Sequence, residues 1–104
     1  MDDIARKNLL YDFYGELLTE HQKLIYEDAV CNDCSLSELA EEYNISRQGV
    51  HDLLKRCDKI LEGYEAKLGL VEKFGKMRQI AGRIEDITTD EEIKMLARKM
   101  IQIF

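Results

Sequence analysis

Apolar residues recur at steps of three and four along most of the chain, which is the spacing of amphipathic helices. The first stripe covers residues 4 to 18. Thr19 then begins TEHQ, a capping box in which Gln22 occupies the third helical position. In this second helix the pattern predicts a buried face of Leu24, Ile25 and Ala29, with Tyr26 as a further candidate. We expect the helix to end near residues 31 to 33.

A second capping box, SLSE, follows at Ser35, with Glu38 in the partner position. It predicts a short helix that ends at Asn44, because asparagine adopts the left-handed conformation at a lower cost than most residues. Ser46 has the chemistry of an N-cap for the next helix. The apolar stripe of that helix runs from Val50 to Phe74, well beyond the length of an ordinary helix in this context.

Three glycines, Gly63, Gly69 and Gly75, weaken this long helix, so we expect a bend or break between residues 63 and 76. The stripe resumes over residues 77 to 87, and the segment ITTDEE indicates a new helix capped by Thr89. Its apolar face comprises Ile93, Leu96, Ala97, Met100, Ile101 and Phe104. With no proline in the chain, the pattern predicts an all-α protein of about six helices.

Residues 36 to 56 fit a helix-turn-helix position by position. Counting from Leu36, the fifth place holds the small Ala40, where the two helices would cross, and the ninth holds the turn residue Asn44. Val50 and Leu53 fall on the inward face of the second helix. We therefore expect a helix-turn-helix domain over residues 1–65 and a helical extension, used for dimerisation, over residues 66–104.

The second helix of such a motif lies in the major groove of DNA, with the side chains near its N-terminus directed at base edges. Arginine pairs with guanine and glutamine with adenine, and a helix N-terminus with a free hydroxyl can hold a phosphate. The candidate nucleic-acid-binding residues are Ser46, Arg47, Gln48, His51, Asp52, Lys55 and Arg56. The alternative is that these are only solvated polar residues of an exposed helix.

The formal net charge of −6 is unevenly distributed. Residues 1–35 carry eight acids against three bases, residues 36–56 carry four against three, and residues 57–104 carry nine of each. The acidity therefore precedes the motif and does not exclude a nucleic-acid role. One copy offers only three cations in the motif, whereas specific DNA sites use about 6–10 phosphate contacts. A homodimer would double that number, and the C-terminal stripes provide apolar surface for one.

Other classes of function have little support in the sequence. Three cysteines include one CNDC pair, Cys31 and Cys34, but Cys57, His21 and His51 lack paired metal-ligand spacing, so we expect no metal, cofactor or redox site. No nucleophile elbow, phosphate loop or zinc-protease motif is present, which argues against an enzyme. Neither a secretory signal nor a membrane-spanning segment is visible, and we expect a cytoplasmic protein.

The segment from Thr19 to Arg56 resembles region 4 of bacterial sigma factors. The whole chain is similar to the YlxM family of small bacterial helix-turn-helix proteins. Three stretches carry that resemblance: YDFYGELLTEHQ, LAEEYNISRQGVHDLLKR and LEGYEAKLGLVEKF. The resemblance implies an accessory or regulatory role beside the GTPase and RNA of the signal recognition particle (SRP), without catalytic residues.

Three hypotheses follow from these observations. The first is a dimeric, non-enzymatic regulator in the SRP pathway that binds DNA or RNA through the motif. The second is a transcriptional regulator that recognises a palindromic DNA site. The third is a protein–protein adaptor for the SRP GTPase, in which the motif is scaffold and the acidic first 35 residues hold the partner.

Overall fold

The computed structural model describes residues 3 to 103, which form six α-helices, a short 3₁₀ turn at Gly15–Leu17 and no strand. The helices are α1 (Asp3–Tyr14), α2 (Glu20–Val30), α3 (Leu36–Tyr43), α4 (Arg47–Leu68), α5 (Leu70–Ile87) and α6 (Glu91–Gln102). They divide into two compact units, one ending at Leu68 and the other beginning at Gly69. The prediction of an all-α helix-turn-helix fold is confirmed. Phe104, predicted on the last apolar face, lies outside the described residues.

Two local features of unit 1 determine how the chain turns from α1 into α2. Gly15 allows the backbone to approach the ring of Tyr11 closely, because a Cβ at this position would lie 2.8 Å from that ring. Thr19 then caps α2 as predicted: its hydroxyl accepts a hydrogen bond from Gln22 N, and its amide donates to Gln22 Oε1 at 3.1 Å. Satisfying both groups fixes where α2 begins.

The core of the motif takes one fully buried residue from each of three helices: Ile25 of α2, Leu39 of α3 and Val50 of α4. Partly buried neighbours surround them: Ala29, Cys34, Leu36, Ala40, Tyr43, Ile45, Leu53 and Leu54. The prediction for Leu24 was wrong, since 46% of it is exposed, and Tyr26 is buried in its place. The shared core holds α4 in a fixed orientation against the helices before it.

Polar pairs join α1 and α2 to the C-terminal half of α4. Arg6 of α1 makes a two-pronged contact with Glu62 in which both nitrogen–oxygen distances are 2.8 Å. Asp58 contacts both preceding helices: Lys7 Nζ lies 3.5 Å from one oxygen, and the Tyr26 hydroxyl donates to the other at 2.8 Å. Two-pronged arginine–carboxylate pairs restrict geometry as well as adding attraction, so these pairs define how the three helices align.

Four tyrosine hydroxyls in unit 1 donate hydrogen bonds to carboxylates. Each pair links residues at least 15 positions apart, so these bonds hold different parts of the chain together. The pairs are Tyr11–Glu27, Tyr14–Glu65, Tyr26–Asp58 and Tyr43–Asp28. A charged acceptor makes such a bond stronger than one between neutral groups.

The Tyr43–Asp28 pair predicts a pH-dependent contribution to stability. Hydrogen bonds from Tyr43 and Asn32 lower the pKa of Asp28, and the bond to Asp28 raises the pKa of Tyr43 to about 12. Because the pKa of Asp28 is lower in the folded chain than in the unfolded chain, its carboxylate stabilises the fold above about pH 4. This stabilisation is lost as the pH falls through the pKa of the folded state. Because the pKa of Tyr43 is higher in the folded chain, its protonated hydroxyl stabilises the fold below about pH 10. This stabilisation is lost as the pH rises towards 12.

Tyr43→Phe is therefore expected to lower the free energy of unfolding most between about pH 5 and 9. Urea titrations of the wild type and the variant across pH measure that difference. A difference that stays constant down to pH 2 would show that the pair does not act through the Asp28 charge.

Unit 2 begins with Gly69, whose φ of 63° ends the long helix inside the predicted interval. Gly63 and Gly75 remain helical, so only one of the three glycines interrupts the chain. The cap of α6 differs from the prediction, because Asp90 rather than Thr89 accepts the hydrogen bonds from Glu92 N and Ile93 N. Both residues have capping chemistry, and the carboxylate also interacts favourably with the helix dipole.

Among residues 3 to 103, no helix is both long enough and apolar enough to cross a membrane.

Candidate nucleic-acid interface

The turn between α3 and α4 is built on Asn44, which adopts the left-handed conformation with φ 55° and ψ 47°. The carbonyl of Ala40 accepts hydrogen bonds from the amides of both Asn44 and Ile45, the latter at 3.0 Å. Two bonds to one carbonyl close α3 abruptly and redirect the chain into α4. The role predicted for Asn44 is confirmed.

Asn44→Ala is expected to destabilise unit 1 by about 1 kcal/mol, because a left-handed residue with a Cβ costs about 1–2 kcal/mol and asparagine tolerates it best. Asn44→Gly, the matched variant, should be as stable as the wild type or slightly more so. Urea unfolding midpoints of the three proteins measure the effect, and equal midpoints for the alanine and glycine variants would contradict it.

The start of α4 is fixed by Ser46, whose hydroxyl accepts a hydrogen bond from Gly49 N at 2.9 Å. This is the N-cap role predicted for the residue. A Cβ on Gly49 would lie 3.1 Å from the same oxygen, so glycine keeps the cap uncrowded. The Ser46 oxygen accepts the capping hydrogen bond from Gly49 N. The Ser46 hydroxyl can still donate its own proton to a phosphate oxygen.

Three of the predicted site residues lie together on the first turns of α4. Arg47, Gln48 and His51 are exposed and line a shallow surface depression with Leu36 of α3. The depression therefore combines one cation, one amide, one imidazole and one apolar side chain. The polar groups can make hydrogen bonds to base edges, and an apolar side chain can contact a thymine methyl.

Asp52 is tied to two of these groups. Gln48 Nε2 donates to Asp52 Oδ1 at 2.9 Å, and His51 Nδ1 lies 3.6 Å from the same oxygen. In the protein alone, Asp52 therefore holds the Gln48 amide along the helix. This bond uses one of the two N–H groups of the Gln48 amide, and the carboxylate repels a nearby phosphate. Asp52 thus restricts the interface and does not supply binding energy to an anion.

The remaining candidates, Lys55 and Arg56, are exposed one to two turns further along. Lys55 follows Gln48 by seven residues, which is nearly two turns, so the two share a side of the helix. Arg56 follows Arg47 by nine residues, or two and a half turns, so these two cations lie on opposite flanks of the outward face. One flat surface can therefore engage one arginine fully, but not both.

Lys59, which is not among the predicted site residues, is exposed and lies one turn beyond Lys55 on the same side of α4. Its spacing of four from Lys55 was the available signal. It raises the number of cations along the outward side of α4 from three to four.

The cysteines do not form a reactive or metal-binding group within the described residues. Cys31 is exposed, Cys34 half-buried and Cys57 buried, and no cluster of three metal-ligating side chains occurs in that part of the chain. Burial raises the pKa of Cys57 to about 11. The pKa values of Cys31 and Cys34 are also raised, by partial desolvation first and by nearby carboxylates second, which favours the thiol form of both.

A short α3, a left-handed turn at Asn44 and an α4 with an exposed polar N-terminal half define a helix-turn-helix protein. The chain belongs to the UPF0122 family, described as "Putative helix-turn-helix protein, YlxM / p13 like", whose model matches residues 1–101. The resemblance to the YlxM family identified from the sequence is thereby confirmed.

Curated relatives support the same assignment. A UPF0122 protein of Geobacillus kaustophilus is 39% identical over 108 residues, covering 99% of this chain and 98% of the relative. One from Caldanaerobacter subterraneus subsp. tengcongensis is 51% identical over 85 residues, covering 82% of this chain and 73% of the relative. One from Thermoanaerobacter sp. is 47% identical over 92 residues, covering 88% and 76%.

Proposed function

We propose that this protein is a non-enzymatic, cytoplasmic regulator that binds nucleic acid through the N-terminal half of α4 and acts in the SRP protein-targeting pathway. The observation that carries the binding part is the exposed group of Arg47, Gln48 and His51, presented by a helix that a shared core holds rigid. The pathway part rests on the resemblance to the YlxM family alone.

The interface favours a ligand that presents few phosphates at once. Lys55 and Lys59 follow one side of α4, while Arg47 and Arg56 lie on opposite flanks. A long B-form duplex site uses about 6–10 phosphate contacts, which only two copies acting together would provide. A folded RNA with exposed bases suits a small set of cations beside an amide and an imidazole, because unpaired bases accept hydrogen bonds on their edges.

A second candidate is the adaptor for the SRP GTPase, and two observations favour it. Asp52 occupies the Gln48 amide, and residues 1–68 carry fifteen acids against eight bases. An acidic surface of this kind complements a basic protein partner and repels a free polyphosphate backbone.

Titrating the full chain against three ligands over a salt series tests these candidates. The ligands are the particle's RNA, a DNA duplex carrying a palindromic site and the purified GTPase. The proposed function predicts that the RNA binds most tightly, with a modest loss of affinity as salt rises, because three or four cations release few counterions.

Tight palindrome binding with a steep salt dependence would replace the proposal with the transcriptional regulator. Binding to the GTPase alone, without measurable affinity for either nucleic acid, would replace it with the adaptor.

A further inference from the structure

The hairpin of α5 and α6 buries few large side chains of its own. The residues buried in it are Val71, Ala81 and Ala97, two of which are alanines. Small residues on facing helices let the backbones approach closely, but they contribute little apolar area. The hairpin contains 36 residues, and units below about 40 residues usually need a disulfide, a metal or association to be stable.

One side of this hairpin carries two arginines and a glutamate beside smaller apolar residues. The groove on that side is lined by Arg78, Gly82 and Glu85 of α5 together with Arg98, Ile101 and Gln102 of α6. Arg98 Nε lies 3.3 Å from Glu85 Oε1, so an ion pair links the helices there.

The other side of the hairpin is apolar. On α5, isoleucines lie on the opposite side of Ala81 from the groove. On α6, apolar residues spaced by three and four lie on the opposite side of Ala97 from the groove. We call this surface the apolar face, and it consists of Ile80, Ile84, Ile87, Ile93, Leu96, Met100 and Ile103. Ile80 is 62% exposed and Ile87 is 73% exposed.

The spacing on α6 is that of a coiled-coil seam. Ile93, Leu96, Met100 and Ile103 are separated by three, four and three residues, the a and d positions of a heptad. Ile80, Ile84 and Ile87 repeat the same steps on α5. Seams of this kind accept the knobs of another pair of helices with the same pattern.

We propose that the apolar face is the docking surface for a second copy of this chain, so that two hairpins form an intermolecular four-helix bundle. Two hairpins, each with one apolar side, close into such a bundle with short loops and antiparallel neighbours. A twofold dimer uses the same patch on both partners, so the apolar face of one copy would pack against the apolar face of the other.

The exposed apolar area and the charge of the hairpin are consistent with the docking of a second copy. Six members of the apolar face are between 37% and 80% exposed, and a standard interface buries roughly 800 Å² per partner. Residues 69–104 carry seven bases against six acids, so two hairpins approach each other with little net repulsion. The acidic excess lies entirely in residues 1–68. This inference does not depend on whether α4 binds nucleic acid.

Leu96 and Met95 provide a matched pair for the test, because they are neighbours on α6 and are 55% and 56% exposed. Only Leu96 belongs to the apolar face, since Met95 is turned about 100° away from it. The mass of the full chain is measured by light scattering at micromolar concentration, without nucleic acid. The wild type and Met95→Glu should be dimers of twice 12.1 kDa, and Leu96→Glu should be a monomer.

Ile87→Glu on α5 should also be monomeric, and circular dichroism should show the same helix content for every variant. A wild type of 12.1 kDa would overturn the proposal and leave the face to a different protein. A Leu96→Glu protein that is folded and dimeric, or a Met95→Glu protein that dissociates equally, would also overturn it. Because no nucleic acid is present, these outcomes are separate from those that test the proposed function.

Discussion

Reversing two charges with Arg47→Glu and Lys55→Glu is expected to lower the affinity for nucleic acid by about a hundredfold or more. An arginine contact with a base contributes about 1–3 kcal/mol, and each reversal also places a repulsive charge beside the ligand. Both side chains are exposed on α4 and lie outside the buried core, so the fold should be retained. Fluorescence anisotropy with labelled RNA and DNA at about 0.1 M salt, where the Debye length is about 10 Å, measures the loss.

Lys67→Glu is the control for net charge, because it reverses one cation, half the charge change of the double variant, on the last turn of the same helix. Lys67 is twelve residues from Lys55, or about 18 Å along the helix axis. We expect Lys67→Glu to change the affinity by less than about threefold, since exposed charges further apart than a Debye length are largely screened. If the double reversal and this control lowered binding equally, the effect would come from net charge and α4 would not be the interface.

Leu39→Ala should cause the largest loss of stability, about 2–5 kcal/mol in the free energy of unfolding. Leu39 is fully buried between Ile25 and Val50, so its truncation leaves a cavity where α2, α3 and α4 meet. Small domains have only about 5–15 kcal/mol of stability in total, and the variant should therefore be partly unfolded at 37 °C. Urea unfolding followed by circular dichroism gives the value.

The corresponding exposed substitution is Leu17→Ala, since Leu17 is 54% exposed in the same unit. It removes the same atoms without creating a closed cavity, and we expect a loss below about 1 kcal/mol. Similar losses for the two variants would mean that the three-helix core does not organise unit 1.

Features that depend on neighbouring residues could be predicted from the sequence. The capping boxes at Thr19 and Ser35 and the left-handed Asn44 each need only a few adjacent residues, and all three are present in the structure. The cap of α6 was placed one residue early because Thr89 and Asp90 both have capping side chains. Local chemistry alone does not separate two adjacent candidates of this kind.

Features that depend on tertiary packing could not be predicted in this way. Leu24 and Tyr26 are both apolar enough for a core, and only the position of α4, with Asp58 accepting the tyrosine hydroxyl, decides in favour of Tyr26. Arg6 and Glu62 are 56 residues apart, and no sequence pattern joins them. The Gln48–Asp52 bond, by contrast, has the ordinary i to i+4 spacing of a helical pair and was open to prediction.

The tyrosine–carboxylate pairs give this chain an internal optical reporter. It contains five tyrosines and no tryptophan, so its near-ultraviolet absorbance and intrinsic fluorescence come from tyrosine. Burial and the carboxylate partners raise the pKa values of Tyr11 and Tyr26, which keeps both phenols protonated in the folded protein at a pH where an unfolded chain ionises. In alkaline solution the appearance of tyrosinate absorbance would therefore follow the opening of α1 and α2, without any label attached to the protein.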